Sequence, residues 1–186
     1  MTSLFTHVFA AAALAPVCAP RPGWKWTIPA GVVVATIPDA DVIGFRLGIR
    51  YGDFWGHRGF THSLVFALML ALLGVWLLRR RVPLAPGGRS WLGVYLFCCA
   101  ASHGVLDAMT NGGRGVGFFM PFENGRHFLP WTPVWVSPLG VENFFTPYGA
   151  DVFVTELLWV WLPLGTLATL CLLARNRMRS ARPPIR

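Results

Sequence analysis

From Leu64 to Leu78 the chain carries no charged side chain, and the run stops abruptly at Arg79, Arg80 and Arg81. A stretch of that kind satisfies its backbone internally as a helix, whether its side chains face lipid or a core. Trp91–Met109 repeats the pattern, interrupted near its far end by Ser102, His103 and Asp107, and Val152–Ala174 repeats it with one ionisable group, Glu156, near its start. Only 13% of the chain is charged and 54% is hydrophobic, whereas an average soluble domain is roughly 25% charged. The fold class expected is all-α: a polytopic integral membrane helical bundle with three transmembrane helices and a shorter N-terminal helical pair, Leu4–Ala19 and Ile28–Ile37. No Lys or Arg precedes Leu4–Ala19, so that segment is expected to stay in the mature protein. Residues 1–186 read as a single membrane-embedded domain, with 111–151 an outer interfacial loop and 175–186 a basic cytoplasmic tail.

A net charge of +8 raises the question of nucleic acid, because a basic surface attracts phosphate. The cations flank apolar runs instead of forming one face, and no nucleic-acid partner is expected. With the 79–89 loop and the tail placed in the cytoplasm, together with Arg21 and Lys25, eleven of the sixteen Lys and Arg lie on that side. Positive charge retained on the cytoplasmic side sets orientation. The four cysteines, Cys18, Cys98, Cys99 and Cys171, lie in apolar segments without paired spacing and read as small hydrophobes.

This orientation puts one class of residue at one depth. His7 lies at the outer end of the first segment, Asp39 and Asp41 at the outer end of the second, and His57 and His62 at the head of the third. His103 and Asp107 close the fourth, one helical turn apart and so on one face, and Glu156 opens the last. Ionisable groups are costly at membrane depth and need partners, which favours a functional site. Imidazole and carboxylate donors without thiolate suit zinc, with manganese as the alternative. His7, Asp39, His62, His103, Asp107 and Glu156 are the candidate ligands, more than a single tetrahedral ion needs, so one or two divalent ions are expected. Arg58, beside His57, is a candidate to hold a phosphate oxygen.

At these residues the chain resembles a known family. An N-terminal His, Pro38-Asp-x-Asp41, His57-Arg-Gly-Phe-Thr-His-Ser63, His103-x-x-x-Asp107 and Thr110-Asn-Gly-Gly113 together are similar to the YdjM family of inner-membrane, metal-dependent hydrolases. The resemblance covers nearly the whole chain, and residues 57–63 are its most specific part. A more distant resemblance is to zinc-dependent phospholipase C, where histidines and aspartates of helices hold a zinc cluster; it implies His7, Asp39, His62, His103 and Asp107 as ligands. The second His-x-x-x-Glu pair of those enzymes has no match, since Trp131 stands four residues after His127.

The expected function is metal-dependent hydrolysis of a phosphoester, carried by a membrane lipid or by a substrate delivered to the membrane, at the outer face of the cytoplasmic membrane. Asp39 or Asp41 would orient an attacking water, and His57 would protonate the leaving group. The alternative is a non-catalytic membrane protein with a structural metal. A transporter is disfavoured because the inner halves of the spans are almost wholly apolar.

Overall fold

A computed structural model describes residues 1–19, 23–82, 87–138 and 141–180. Arg21 and the tail beyond Ser180 lie outside the described residues. The helices are α1 (Leu4–Cys18), α2 (Trp24–Thr36), α3 (Ile43–Arg46), α4 (Leu64–Leu78), α5 (Gly88–Ala108), α6 (Val141–Phe144), α7 (Pro147–Glu156) and α8 (Leu162–Ser180). Among the described residues β-structure is limited to two isolated bridges, Thr110 with Val134 and Val116 with His127.

Two boundaries differ from the sequence expectation. The second N-terminal element starts at Trp24 and continues through a 3-10 turn, Ile37–Val42, into α3, giving a span of 23 residues. Pro38 does not break it, because it lies in the first turn of the 3-10 segment, where a backbone N–H has no obligatory partner to lose. By contrast α4, with 15 residues, rises about 22 Å and falls short of the hydrocarbon thickness. Among the described residues the other two helices long and apolar enough to cross a membrane are Gly88–Ala108 and Pro147–Met178. The latter contains a π-turn at Leu157–Trp161, directly after Glu156.

Helix α5 is the hub, packed against α1, α2 and α4, while α8 packs on α1. Hydrophobic burial gives little advantage between helices surrounded by lipid, so close approach through small residues has to hold them. Ala11 and Ala15 of α1 are fully buried, and the Tyr95 hydroxyl donates to the Ala11 carbonyl at 2.9 Å. Gly31 of α2 lies against the same tyrosine; a Cβ there would come 2.3 Å from its oxygen.

Helix ends are fixed by side chains and by the long loop. Ser3 caps α1 and Ser63 caps α4, each accepting from the backbone N–H three residues on. The terminal carbonyls of a helix lack intrahelical donors. At the end of α5 the loop supplies them: Leu129 N–H donates to the Ala108 carbonyl and Val134 N–H to that of Met109. Ser137 N–H reaches the Met1 carbonyl. The loop therefore lies across the end of the bundle where His7, Asp39, His62 and Asp107 converge.

Candidate metal centre

Four donors from three elements meet at this end. Asp39 comes from the turn after α2, His62 from a 3-10 turn before α4, and His103 and Asp107 from the last turns of α5. One ligand atom of each lies within 4.8 Å of the others. His62 Nε2 is 3.0 Å from His103 Nε2, Asp39 Oδ1 is 3.3 Å from His103 Nε2 and 3.8 Å from His62 Nε2, and Asp107 Oδ2 is 3.6 Å from His62 Nε2. A tetrahedral ion with ligands at about 2.0–2.1 Å holds its donors about 3.3 Å apart. The separations match that edge.

The tautomers follow from the other ring nitrogens. His103 Nδ1 lies 2.7 Å from the Ala35 carbonyl, which can only accept, so Nδ1 carries the proton and Nε2 a lone pair. His62 Nδ1 lies 3.2 Å from Asp41 Oδ2. Two Nε2 atoms facing each other at 3.0 Å need a cation between them, a proton or a metal ion. Both oxygens of Asp39 are buried and accept no hydrogen bond. A carboxylate left unsatisfied beside two imidazole nitrogens fits a divalent cation, since burying a bare charge is costly.

Around these donors sits a second layer. Asp41 accepts from His57 Nδ1 at 2.7 Å, Thr61 Oγ1 at 2.8 Å and Arg58 N–H at 3.2 Å. Its carboxylate is thus saturated and orients His57 and His62, as carboxylates behind metal-binding histidines do. Outside the spans, burial would lower the His62 pKa, but Asp39, Asp41 and Asp107 outweigh it and raise it to about 9.

Arg58 is placed differently from the expectation of a phosphate holder. It is fully buried, with Nε on Asp107 Oδ2 at 3.0 Å and its two terminal nitrogens on the Gly112 carbonyl and Thr110 Oγ1 at 2.8 and 2.9 Å. Each nitrogen of the fork already has a protein partner and the side chain is shut off from solvent, so Arg58 positions Asp107. Its φ of 62° is the only positive value at a non-glycine among the described residues, a conformation that costs about 1–2 kcal/mol. That turn lets the backbone N–H reach Asp41 while the side chain reaches Asp107.

His7 and Glu156 also stand apart from the four donors. The His7 ring stacks on His103 with centroids 3.7 Å apart, and its Nε2 lies 2.8 Å from Thr2 Oγ1 and 3.6 Å from Asp107 Oδ1. Glu156 accepts from Ser3 N–H, from Ser3 Oγ and from Thr6 Oγ1, the last at 2.8 Å. Its carboxylate is spent on tying the head of α1 to α7, which removes it as a ligand. Thr2, whose N–H donates to Asp107 Oδ1 at 2.7 Å across 105 residues, carries no sequence signal. Thr61 and Thr110 lie inside motifs that do.

An all-helical, multi-pass membrane protein with a His/Asp cluster buried at one end of its bundle is what fold and site define. The chain belongs to the YdjM inner membrane protein family, whose model matches residues 1–179. It is 47% identical over 136 residues, 72% of this chain and 76% of the relative, to the inner membrane protein YbcI of Escherichia coli (strain K12). The protein is accordingly a multi-pass protein of the inner membrane. No solved structure matches, and the resemblance to zinc-dependent phospholipase C gains no support.

Proposed function

We propose that this protein is a metal-dependent hydrolase of the inner membrane, acting on a phosphoester of a lipid or of a membrane-delivered substrate at the outer face. The observation that supports it is the Asp39 carboxylate, buried and without a hydrogen bond, beside the facing Nε2 atoms of His62 and His103. Asp39, His62, His103 and Asp107 would hold the cation, zinc or manganese by donor type. A cation bound there supplies Lewis acidity toward a phosphoryl oxygen and makes water acidic enough to attack near neutral pH. Asp41 holds His62 and His57 in register, and Arg58 holds Asp107. His57, anchored through Nδ1 to Asp41, keeps Nε2 to deliver a proton to the leaving group.

One observation favours a second reading. Four protein donors are the number that closes a structural zinc site, whereas catalytic sites keep a position open. Elemental analysis of the purified chain, with hydrolysis of phosphomonoester, phosphodiester and phospholipid substrates before and after chelation, tests both. Hydrolysis that returns with zinc or manganese and is abolished in His103→Ala supports the enzyme. A folded, metal-replete protein that cleaves none of the substrates refutes it in favour of the structural site.

A further inference from the structure

With Arg58 committed to Asp107, the centre needs another cation if its substrate is a phosphoester. Two guanidinium groups share the ring of Tyr51: Arg114 lies 5.9 Å and Arg126 5.6 Å from its centroid. Tyr51 itself packs edge-on against His57, centroids 5.3 Å apart. Arg126 is anchored by donating to the carbonyls of His57, Tyr51 and Asp53 at 2.8, 3.0 and 3.1 Å. Arg114 is exposed and crosses Gly52, where a Cβ would come 3.0 Å from its terminal nitrogen.

Neither group has a carboxylate partner. Among the described residues the one arginine salt bridge is that of Arg58 with Asp107. The face of an aromatic ring offsets part of the repulsion between two like charges. An anion would offset the rest, and planar forks suit phosphate. The two loop segments that carry Tyr51, Arg114 and Arg126 also expose apolar side chains: Leu47 is 76% exposed and Phe122 87% exposed, and Trp55 and Phe119 are exposed as well. Aromatic and apolar side chains beside cations are the pattern of a surface seated at lipid headgroups.

We propose that Arg114 and Arg126, spread over Tyr51, form a phosphate subsite on the His57 side of the metal centre and seat the headgroup phosphate of a membrane lipid. This assignment deepens the hydrolase reading and rests on it for its purpose. Arg126, fixed by its bonds to three carbonyls, provides a stationary positive charge beside His57, and Arg114 supplies the free fork that closes over the phosphate from the exposed side. The lipid's chains stay in the bilayer beside Leu47 and Phe122.

Binding to the chelated, metal-free full chain in dodecyl maltoside micelles, which carry no phosphate, tests the subsite apart from the chemistry. The probes are dihexanoyl phosphatidic acid, dihexanoylglycerol and inorganic phosphate, followed by calorimetry. Phosphatidic acid should bind the wild type and Arg80→Gln alike, and Arg114→Gln should weaken it about tenfold or more, the loss expected for one charge-assisted bond. Arg126→Lys, which keeps the charge but loses the fork, should weaken it too and covers the case in which neutralising Arg126 disturbs the loop. Equal binding by wild type and both variants overturns the subsite. Inorganic phosphate binding as tightly as phosphatidic acid overturns the lipid as its source, and dihexanoylglycerol binding equally well overturns the phosphate subsite itself. Binding lost in Arg114→Gln by a protein that hydrolyses nothing leaves the subsite standing and removes only the hydrolase reading.

Discussion

Lowering the pH should strip the metal from this site, and the size of the effect can be worked from His62. Burial opposes charge on its ring, yet Asp39 and Asp41 raise its pKa from 6.5 to about 9. In the metal-free protein at neutral pH, a proton therefore takes the place between His62 Nε2 and His103 Nε2. A metal ion must displace it, so apparent affinity falls about tenfold for each pH unit below about 9. Between pH 9 and pH 7 the loss is about a hundredfold, or about 2.7 kcal/mol. The stability of the chelated protein runs the other way. The folded-state pKa lies above the unfolded value, so the contribution is complete below about 6.5 and is lost as pH rises through about 9. Competition with a chelator of known affinity gives the first profile, and tryptophan fluorescence during denaturation in mixed micelles gives the second. Asp41→Asn removes one of the carboxylates that hold the proton and should shift the break in both profiles to lower pH. A metal affinity that does not change between pH 7 and pH 9, or an identical profile in Asp41→Asn, would refute the proton-for-metal exchange.

Asp39→Ala should weaken the metal about a hundredfold while leaving helix content unchanged, taking roughly 10–16 kcal/mol for a zinc site shared among four donors; undiminished affinity by chelator competition removes Asp39 from the ligand set. In Arg58→Lys an ammonium replaces a fork that meets Asp107, Thr110 and Gly112, and metal affinity should fall about 10- to 100-fold through misplacement of Asp107; unchanged affinity would show that the fork does not position this ligand. Gly31→Ala pushes a methyl group into the Tyr95 ring and should cost about 1–3 kcal/mol in denaturation, with a neutral result contradicting the close α2–α5 contact. Cysteines placed at Phe122 and at Arg80, in a background without the native four, should be labelled from opposite sides of the membrane, and labelling of both from the cytoplasmic side would reject the outward site.

The helices were legible because their physics is local, although the run expected to span at Leu64–Leu78 is too short to do so and Trp24–Arg46 is long enough instead. Uncharged runs, the serine cap at Ser63 and the arginine stop after Leu78 each act within a few residues. The boundary after α2 was not legible, because Pro38, Asp39 and Asp41 look like a break while their 3-10 turn continues the helix axis into α3. The donors were legible by type and depth, since histidines and aspartates at helix ends need partners wherever those ends meet. What a sequence cannot convey is which partner each donor takes. Glu156 sits at the same depth as the ligands but faces Ser3 and Thr6, and Arg58 turns inward by a positive φ that no residue type announces. The pair Arg114 and Arg126 comes from a loop whose path depends on hydrogen bonds to α5 and to His57.

The stretch His57–Ser63 shows how little freedom such a site leaves. His57 and Thr61 face Asp41, Arg58 faces Asp107, and His62 reaches Asp41 through Nδ1 while turning Nε2 to Asp39 and Asp107, so the segment must serve three carboxylates at once. An extended strand, whose side chains alternate between two faces, cannot do that, and a regular α-helix would set His57 and Thr61 on the same side while turning Arg58 and His62 away together. The chain instead makes a left-handed residue at Arg58 and a 3-10 turn at Phe60–His62. Between them Gly59 passes the Phe54 carbonyl so closely that a Cβ would come 2.3 Å from its oxygen. Any side chain at Gly59 would lift the 3-10 turn away and move His62 and Thr61 together from Asp39 and Asp41. Ser63 then ends the irregular segment by capping α4, which ties the position of His62 to the start of a helix packed on α5. The same seven residues that present His62, and that hold Asp41 and Asp107 through His57, Thr61 and Arg58, also lead directly into α4.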